Sequence, residues 1–581
     1  MRTTYNKFPE VSIQGYDNHA WQGWSSIHSV INTKVSGAAK TVLIVDCYPG
    51  VRLDELEQQL VTALDAALVL NIESARRDEQ ALHDLLARNL TDDRVFGVLS
   101  CHHLDEFFDS DKLSQLRQQI DAISEGLVVV YGSGAALAHP GDVLVYADLP
   151  RWEIQQRMRH DGLGNWGAKN QDEDILRRYK RAFFIEWRVF DKHKTPLLKR
   201  ADYLLDTTVK NSPAMVSGDA LRAGLQQTTQ QPFRVVPFFD PGVWGGQWMK
   251  QRFDLDPSAP NYAWCFDCVP EENSLLLRFG NVRIEIPSQD LVLTCPRPLL
   301  GEKVHARFGA EFPIRFDFLD TIGGQNLSFQ VHPLTEYIQQ QFGMHYTQDE
   351  SYYILEAESD AVVYLGTKTG IAPQDMLDDL RAAGRGEKTF DDERFVNQIP
   401  VHKHDHFLIP AGTVHCSGAG TMVLEISATP YIFTFKLWDW GRLGLDGLPR
   451  PVHLDHGQQV IDWQRDTQWV HDNLVNRIDP IAEGEGWREE RTGMHEREFI
   501  ETRRHWFTAP VTHHTHGGVN VLNLVEGAQA VVESPSGAFA PFVVNYAETF
   551  IIPAAVGEYR ISPFGKGIGQ QLATIKAWVR G

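Results

Sequence analysis

The tightest constraint on this chain lies between residues 325 and 425, where four side chains able to ligate a metal sit in short β-like runs. Gln330 and His332 lie two apart in Leu327-Ser328-Phe329-Gln330-Val331-His332-Pro333. On a strand that spacing points both to one face. Glu350 stands just ahead of the apolar run Tyr352-Tyr353-Ile354-Leu355. His415 follows 65 residues later, past the turn Ile409-Pro410-Ala411-Gly412 and before the strand-like run 422–426. One amide oxygen, one carboxylate and two imidazoles form a mixed N/O donor set. Such a set suits zinc or another borderline divalent ion, with positions left for water or substrate. The competing reading is that each group is a satisfied structural residue, as a lone strand histidine usually is.

At 581 residues the chain exceeds what one core supports and should hold three or four domains. The formal charge of −21 argues against general nucleic-acid binding and against docking on anionic membranes. No apolar run approaches the roughly 20 residues that span a bilayer. The start, Met1-Arg2-Thr3-Thr4-Tyr5-Asn6-Lys7, lacks the apolar core of a signal peptide. Six cysteines are too few for a disulfide framework in a chain this long, so a cytoplasmic setting is expected.

Several separated stretches resemble the type I phosphomannose isomerases of the bacterial short form, which are zinc cupins. They begin at Trp244-Gly245-Gly246 and continue through Phe312-Pro313 and the Gln-Val-His-Pro and Ile-Pro-Ala-Gly-Thr-Val-His runs. They end at Phe435-Lys436-Leu437-Trp438-Asp439-Trp440. The resemblance implies that Gln330, His332, Glu350 and His415 hold Zn2+ or another divalent ion. It implies aldose–ketose interconversion through an enediol, on a sugar phosphate or a free sugar. Glu425 becomes the first candidate for proton transfer and Asp439 the second. Lys436 stands where the family carries an Arg, which keeps the charge and loses the planar fork.

Other departures bear on substrate. Asp317 and Gln348 replace two family lysines, whereas Ser328, a hydroxyl that touches phosphate in the family, is retained. A dianionic phosphate would meet unfavourable charge at Asp317. A free aldose, or a phosphate held by Lys303, Arg307 or Arg315, fits these changes. The alternative to an enzyme is a non-catalytic metal- and sugar-binding regulatory protein. None of these motifs encodes an oligomeric state.

The expected architecture is an N-terminal α/β doubly wound domain followed by all-β cupin (jelly-roll) domains. The boundaries expected are 1–230, 231–490 with a helical insertion near 371–396, and 491–581, a second cupin poor in metal ligands. Residues 231–240, rich in proline, read as a linker. The N-terminal part alternates strands near residues 41–46, 67–71, 127–131 and 142–146 with helices, one of them over 53–66. It resembles the uridine-kinase branch of the P-loop fold. Arg157-Met158-Arg159-His160-Asp161 matches the lid there, and a helix around 177–190 matches the closing segment. Its phosphate loop fails. Cys47-Tyr48-Pro49-Gly50-Val51-Arg52-Leu53-Asp54 has no Walker Lys, no hydroxyl, and a Pro that removes an amide donor. Kinase activity is therefore not expected, and Arg157, Arg159 and Arg177 are the groups left to bind a phosphate. Cys265-Phe266-Asp267-Cys268 reads as two strand-borne thiols. His402, His404 and His406 alternate as exposed residues of a strand. His513, His514 and His516 form an H-x-H without a downstream partner.

Overall fold

The structure, a computed structural model, describes residues 4–428, 433–445, 447–493 and 495–580. The chain forms two compact units that are not consecutive in sequence. One holds Glu10–Thr228 and Glu271–Cys295, and the other takes the rest of the described chain. Residues 271–295, expected in the middle domain, thus belong with the N-terminal α/β unit. Among the described residues no helix is long and apolar enough to cross a membrane.

In the first unit, seven strands among the described residues form one sheet. Their order is Ala20–Gln22, Ala214–Ser217, Tyr203–Asp206, Val143–Asp148, Lys40–Cys47, Gly126–Gly132 and Ala66–Asn71. The last five are parallel. Lys40–Cys47 at the centre is buried nearly throughout, which is why it reads as an unbroken apolar run. The helix expected over 53–66 is shorter. Leu53–Leu56 passes into a π-turn at Glu57–Val61, and Ala66 already begins a strand.

Open α/β sheets bind ligands where the strand order reverses, at the carboxyl ends of the strands. Here the ends of Lys40–Cys47 and Val143–Asp148 carry charges paired within the unit, while the loop after the first of them, from Gly50 to Glu55, lines a cavity of about 770 Å³ with Arg157 and Lys210. Asp46 accepts from the Ala136 N–H at 2.7 Å and pairs with His193 at 2.9 Å. Lys194 Nζ lies 2.7 Å from Asp290 and 3.1 Å from Asp148. The three expected arginines are also engaged. Arg157 donates to Glu153 and to the carbonyls of Gly50 and Thr207. Arg159 donates to Tyr179 and lies over the Trp152 ring, and Arg177 donates to the Asp92 carbonyl.

The second unit contains two antiparallel β-sandwich barrels. Among the described residues, one sheet of the first barrel runs His406–Ile409, Glu350–Ala357, Thr421–Ser427, Arg315–Asp320, Trp264–Cys268, Phe238–Asp240. The facing sheet runs Val396–Pro400, Val362–Thr367, His415–Ser417, Phe329–Val331, Phe435–Trp438. The expected helical insertion is Pro373–Gly384 with a further turn at Asp392–Phe395. Gly245 and Gly246 are needed for close approach, since a Cβ at either would strike Asn261 or Asp320. Cys265 and Cys268 are buried free thiols on one strand.

The second barrel begins earlier than residue 491, because Asp479–Gly484 and Trp487–Gly493 already pair into its larger sheet. Residues 231–240 do not form a loose linker. Phe233 bridges to Ile551, and the buried Arg234 guanidinium lies 2.8 Å from Glu548 and 3.3 Å from Asp267. Arg234 also donates to the carbonyls of Thr549 and Asn6. Both barrels and the chain's start therefore meet on one buried cation.

The alternating histidines differ from expectation because the strand starts only at His406. His404 occupies a left-handed turn with φ 73 and contacts the Tyr353 hydroxyl at 2.9 Å and Glu526 at 3.0 Å. His406 is fully buried. Burial pushes its imidazole pKa down to about 3. An unfolded imidazole takes up a proton near pH 6.5. The stability that neutral His406 contributes is therefore complete above about pH 6.5 and is lost as the pH falls towards 3. Its expected share is a slope of about 1.4 kcal/mol per pH unit in that window. Urea midpoints measured across the window should flatten in His406→Leu, and an unchanged slope would show that His406 is already charged in the fold.

Candidate metal centre

Register decides which side chains meet inside the first barrel. On the larger sheet, Arg315, Ser427 and Glu350 form one cross-strand row, and Phe266, Asp317, Glu425 and Tyr352 form the next. On the facing sheet His415, Gln330 and Lys436 stand in a row. The two faces converge. His332, Glu350 and His415 each present a ligand atom within 4.8 Å of the others, and all three are buried. Glu350 lies 3.1 Å from His332 Nε2 and 2.8 Å from His415 Nε2. The Gln330 amide is 3.3 Å from His415 Nε2, and turning it over would present its oxygen to the same point.

The hydrogen bonds on the far side of each ring test whether an ion fits. His332 Nδ1 lies 3.0 Å from the Phe433 carbonyl and His415 Nδ1 lies 2.9 Å from the Thr413 carbonyl. A carbonyl only accepts, so each Nδ1 carries the proton and each Nε2 turns a lone pair inward. Those lone pairs face carboxylate oxygens among buried side chains. Acceptors crowded against acceptors are unfavourable unless a cation lies among them. His332 Nε2 and Glu350 Oε1 accordingly have no hydrogen-bond donor among the described residues. The donor set present fits a divalent ion.

Gln348 braces this centre. The Phe433 N–H donates to its oxygen at 3.2 Å, which directs its NH2 to Glu350 at 2.7 Å and to Glu425 at 3.2 Å. Burial alone would raise the Glu350 carboxyl, and positive charge at the Nε2 edges of His332 and His415 outweighs it and holds Glu350 well below the usual carboxylate range; with both rings neutral, a bound cation would supply that charge. Glu425 is held well above that range by burial first and then by Glu350 and Asp317. Burial likewise raises Asp317 to about 6 against the pull of Arg315, which lies 3.2 Å away.

Asp439 and Ser328 form a separate polar group. Ser328 Oγ donates to Asp439 at 3.1 Å, Arg442 donates to the same carboxylate, and Arg450 pairs with its other oxygen at 2.9 Å. Two guanidinium groups and a hydroxyl thus engage Asp439, the second candidate for proton transfer, which leaves Glu425 as the group beside the cluster. Sequence motifs missed Arg442 and Arg450, because both lie outside the motif stretches and reach Ser328 only through the fold. Of the three cations considered for phosphate, Lys303 and Arg307 are exposed and Arg315 is buried against Asp317. Arg307 lines a different cavity of about 440 Å³ with Thr347 and Asp349. Thr347 and Asp349 lie just ahead of the strand that begins at Glu350.

The model of a domain of unknown function, DUF8485, matches residues 23–230. The chain is 26% identical over 221 residues to the mannose-6-phosphate isomerase of Streptococcus mutans serotype c, covering 38% of this chain and 64% of that protein. It is 25% identical over 235 residues to the mannose-6-phosphate isomerase ManA of Bacillus subtilis, covering 40% and 69%. A crystal structure of mannose 6-phosphate isomerase from Bacillus subtilis superposes with a TM-score of 0.47 at 18% identity, over 60% of this chain and 99% of that one. The chain therefore spans a little under two thirds of the first of these relatives.

Proposed function

We propose that the first barrel is the active site of a metal-dependent aldose–ketose isomerase that acts on a sugar phosphate. The observation that carries this reading is the pair of inward Nε2 lone pairs facing Glu350, with Glu425 and Lys436 standing on the same interior faces. Gln330, His332, Glu350 and His415 would hold zinc or another divalent ion, which when bound polarises the substrate oxygens at carbons 1 and 2. Similarity to the mannose-6-phosphate isomerases supports the reaction class.

The chain's own residues account for the rest. Glu425, oriented by Gln348, moves the proton between carbon 2 and carbon 1. Lys436, across from Gln330, supplies positive charge for the oxyanion of the enediol. Its ammonium is a point charge, so it grips one oxygen where a guanidinium would grip two. Closed barrel walls keep water from the enediol. Ser328, Arg442 and Arg450 form the place for the phosphate, with two cations against the one carboxylate of Asp439.

The test is hydrogen–deuterium exchange at carbon 2, followed by NMR on metal-loaded protein with phosphorylated and free aldoses. Exchange is expected for a phosphorylated aldose. Arg450→Met should raise its KM by about tenfold or more while leaving any free aldose unaffected, the size expected for one charge-assisted hydrogen bond. If sugars bind but none exchanges, the centre is a regulatory receptor and the isomerase reading fails.

A further inference from the structure

The second barrel has an interior of two characters. One end is an apolar core containing Phe507, Leu522, Leu524, Phe550, Ile561 and Leu572. Moving along the two central strands, the inward pairs change from Phe507 with Leu572 to His505 with Thr574, then Arg503 with Lys576, then Glu501 with Trp578. Alternate residues share a face, so this sequence of pairs is one surface that turns from apolar to charged towards the barrel mouth. A cavity of about 310 Å³ opens there, lined among others by His505, His513, Asn520 and Lys576.

The carboxylates at this cavity are taken up by groups other than Lys576. Glu489 is shared between Arg503 at 2.8 Å and His505 Nε2 at 3.3 Å, and Glu501 pairs with Arg503 at 2.8 Å. Lys576 is 8% exposed and forms no ion pair with a carboxylate among the described residues, and its ammonium lies 5.0 Å from the centre of the Trp578 ring. Burial is the main influence that brings its pKa down to about 8, which still leaves an ammonium at neutral pH. Two imidazoles nearby are also unsatisfied. His505 Nδ1 and His513 Nε2 have no hydrogen-bond partner among the described residues, and the rings are 2% and 4% exposed. His513 is held in place by stacking on Tyr559 at 5.1 Å.

Buried polar groups without partners mark a place where a ligand supplies them. A metal ion does not suit the site. Among the described residues, three metal-ligating atoms come together only at His332, Glu350 and His415, and Lys576 and Arg503 would repel a cation. An anion matches the lone ammonium, and hydroxyl groups match the imidazoles.

We propose that the C-terminal barrel binds a small hydroxylated organic oxyanion, a phosphate monoester or a carboxylate, with its anionic group on Lys576 Nζ and its hydroxyls on His505 Nδ1, His513 Nε2 and Asn520. This site lies outside the first barrel and does not depend on the isomerase reading. Calorimetric titration of the full-length, metal-loaded protein with glycerol 3-phosphate and with gluconate tests it. At least one probe should bind, and whichever does identifies the phosphate or the carboxylate as the recognised group. Lys576→Met should weaken that binding by about tenfold or more, and Lys576→Arg should restore most of it. His513→Phe keeps the stack on Tyr559, removes the polar edge and should also weaken binding, so the result does not hang on one variant's folding. Carbon 2 exchange at the first barrel should be unchanged in all three. Failure of both probes to bind wild type, or equal binding by wild type, Lys576→Met and His513→Phe, overturns the proposal.

Discussion

Replacing Glu350 by Gln is expected to strip the protein of its metal and to lower carbon 2 exchange by about a thousandfold or more. A Lewis-acid ion contributes several kcal/mol to such a transition state, and each 1.4 kcal/mol is about a factor of ten. Glu350 carries the only formal negative charge among the four groups that would hold the ion, and it touches both imidazoles. Its amide counterpart has nearly the same shape and hydrogen-bonds to Gln348, so packing should survive. Elemental analysis beside the exchange assay separates the two effects. A variant that retained a full equivalent of metal would show that the ion, if there is one, binds elsewhere.

Arg234→Met is expected to be the most damaging single change to stability, at about 3–5 kcal/mol, the usual consequence of breaking a buried ion pair. The loss comes less from the missing cation than from what remains. Asp267 and Glu548 stay buried, facing each other's charge with no counter-ion, and the carbonyls of Thr549 and Asn6 lose a donor. Tyr5 contacts the same group, with its hydroxyl 2.5 Å from Asp267 and its ring 4.9 Å from the guanidinium. Replacing Asp267 and Glu548 by Leu as well should recover only part of the stability, since it removes the buried charges but leaves the Thr549, Asn545 and Asn6 N–H groups and the Tyr5 hydroxyl without acceptors. Urea unfolding of the three proteins decides the matter. An unchanged midpoint for Arg234→Met would mean that water reaches the carboxylates.

The parts of this molecule that were legible in sequence are those where a short local pattern has one geometric meaning. Gln330 and His332 had to share a face because a strand has period two, and the Pro-Ala-Gly turn before His415 had to end one strand and start another. The α/β class followed from apolar runs too continuous for an exposed sheet. What stayed hidden depended on groups far apart in the chain. Gln348 reads as a lost lysine, yet it is the amide that couples Glu350 to Glu425. The proline-rich stretch near Arg234 looks like a linker until its partners 33 and 315 residues away are known. His406 alternates with two turn residues and so mimics an exposed strand, and Lys576 is one cation in a run that otherwise reads as core.

The chain's return to the first unit over residues 271–295 has a consequence for how this protein comes into being. The strand Glu10–Ile13 pairs with Ser274–Phe279, and Asp290 supplies the closest carboxylate to Lys194. A ribosome that has made only residues 1–230 has therefore delivered an α/β sheet whose companion strand Glu10–Ile13 has no partner and whose Lys194 lacks the closest of its carboxylates. Completion must wait until residues 271–295 emerge, by which time the barrel strands Phe238–Asp240 and Trp264–Cys268 have already emerged. Gene fragments cut at residue 230 should consequently give aggregating product, whereas fragments that carry 271–295 on a short tether should not.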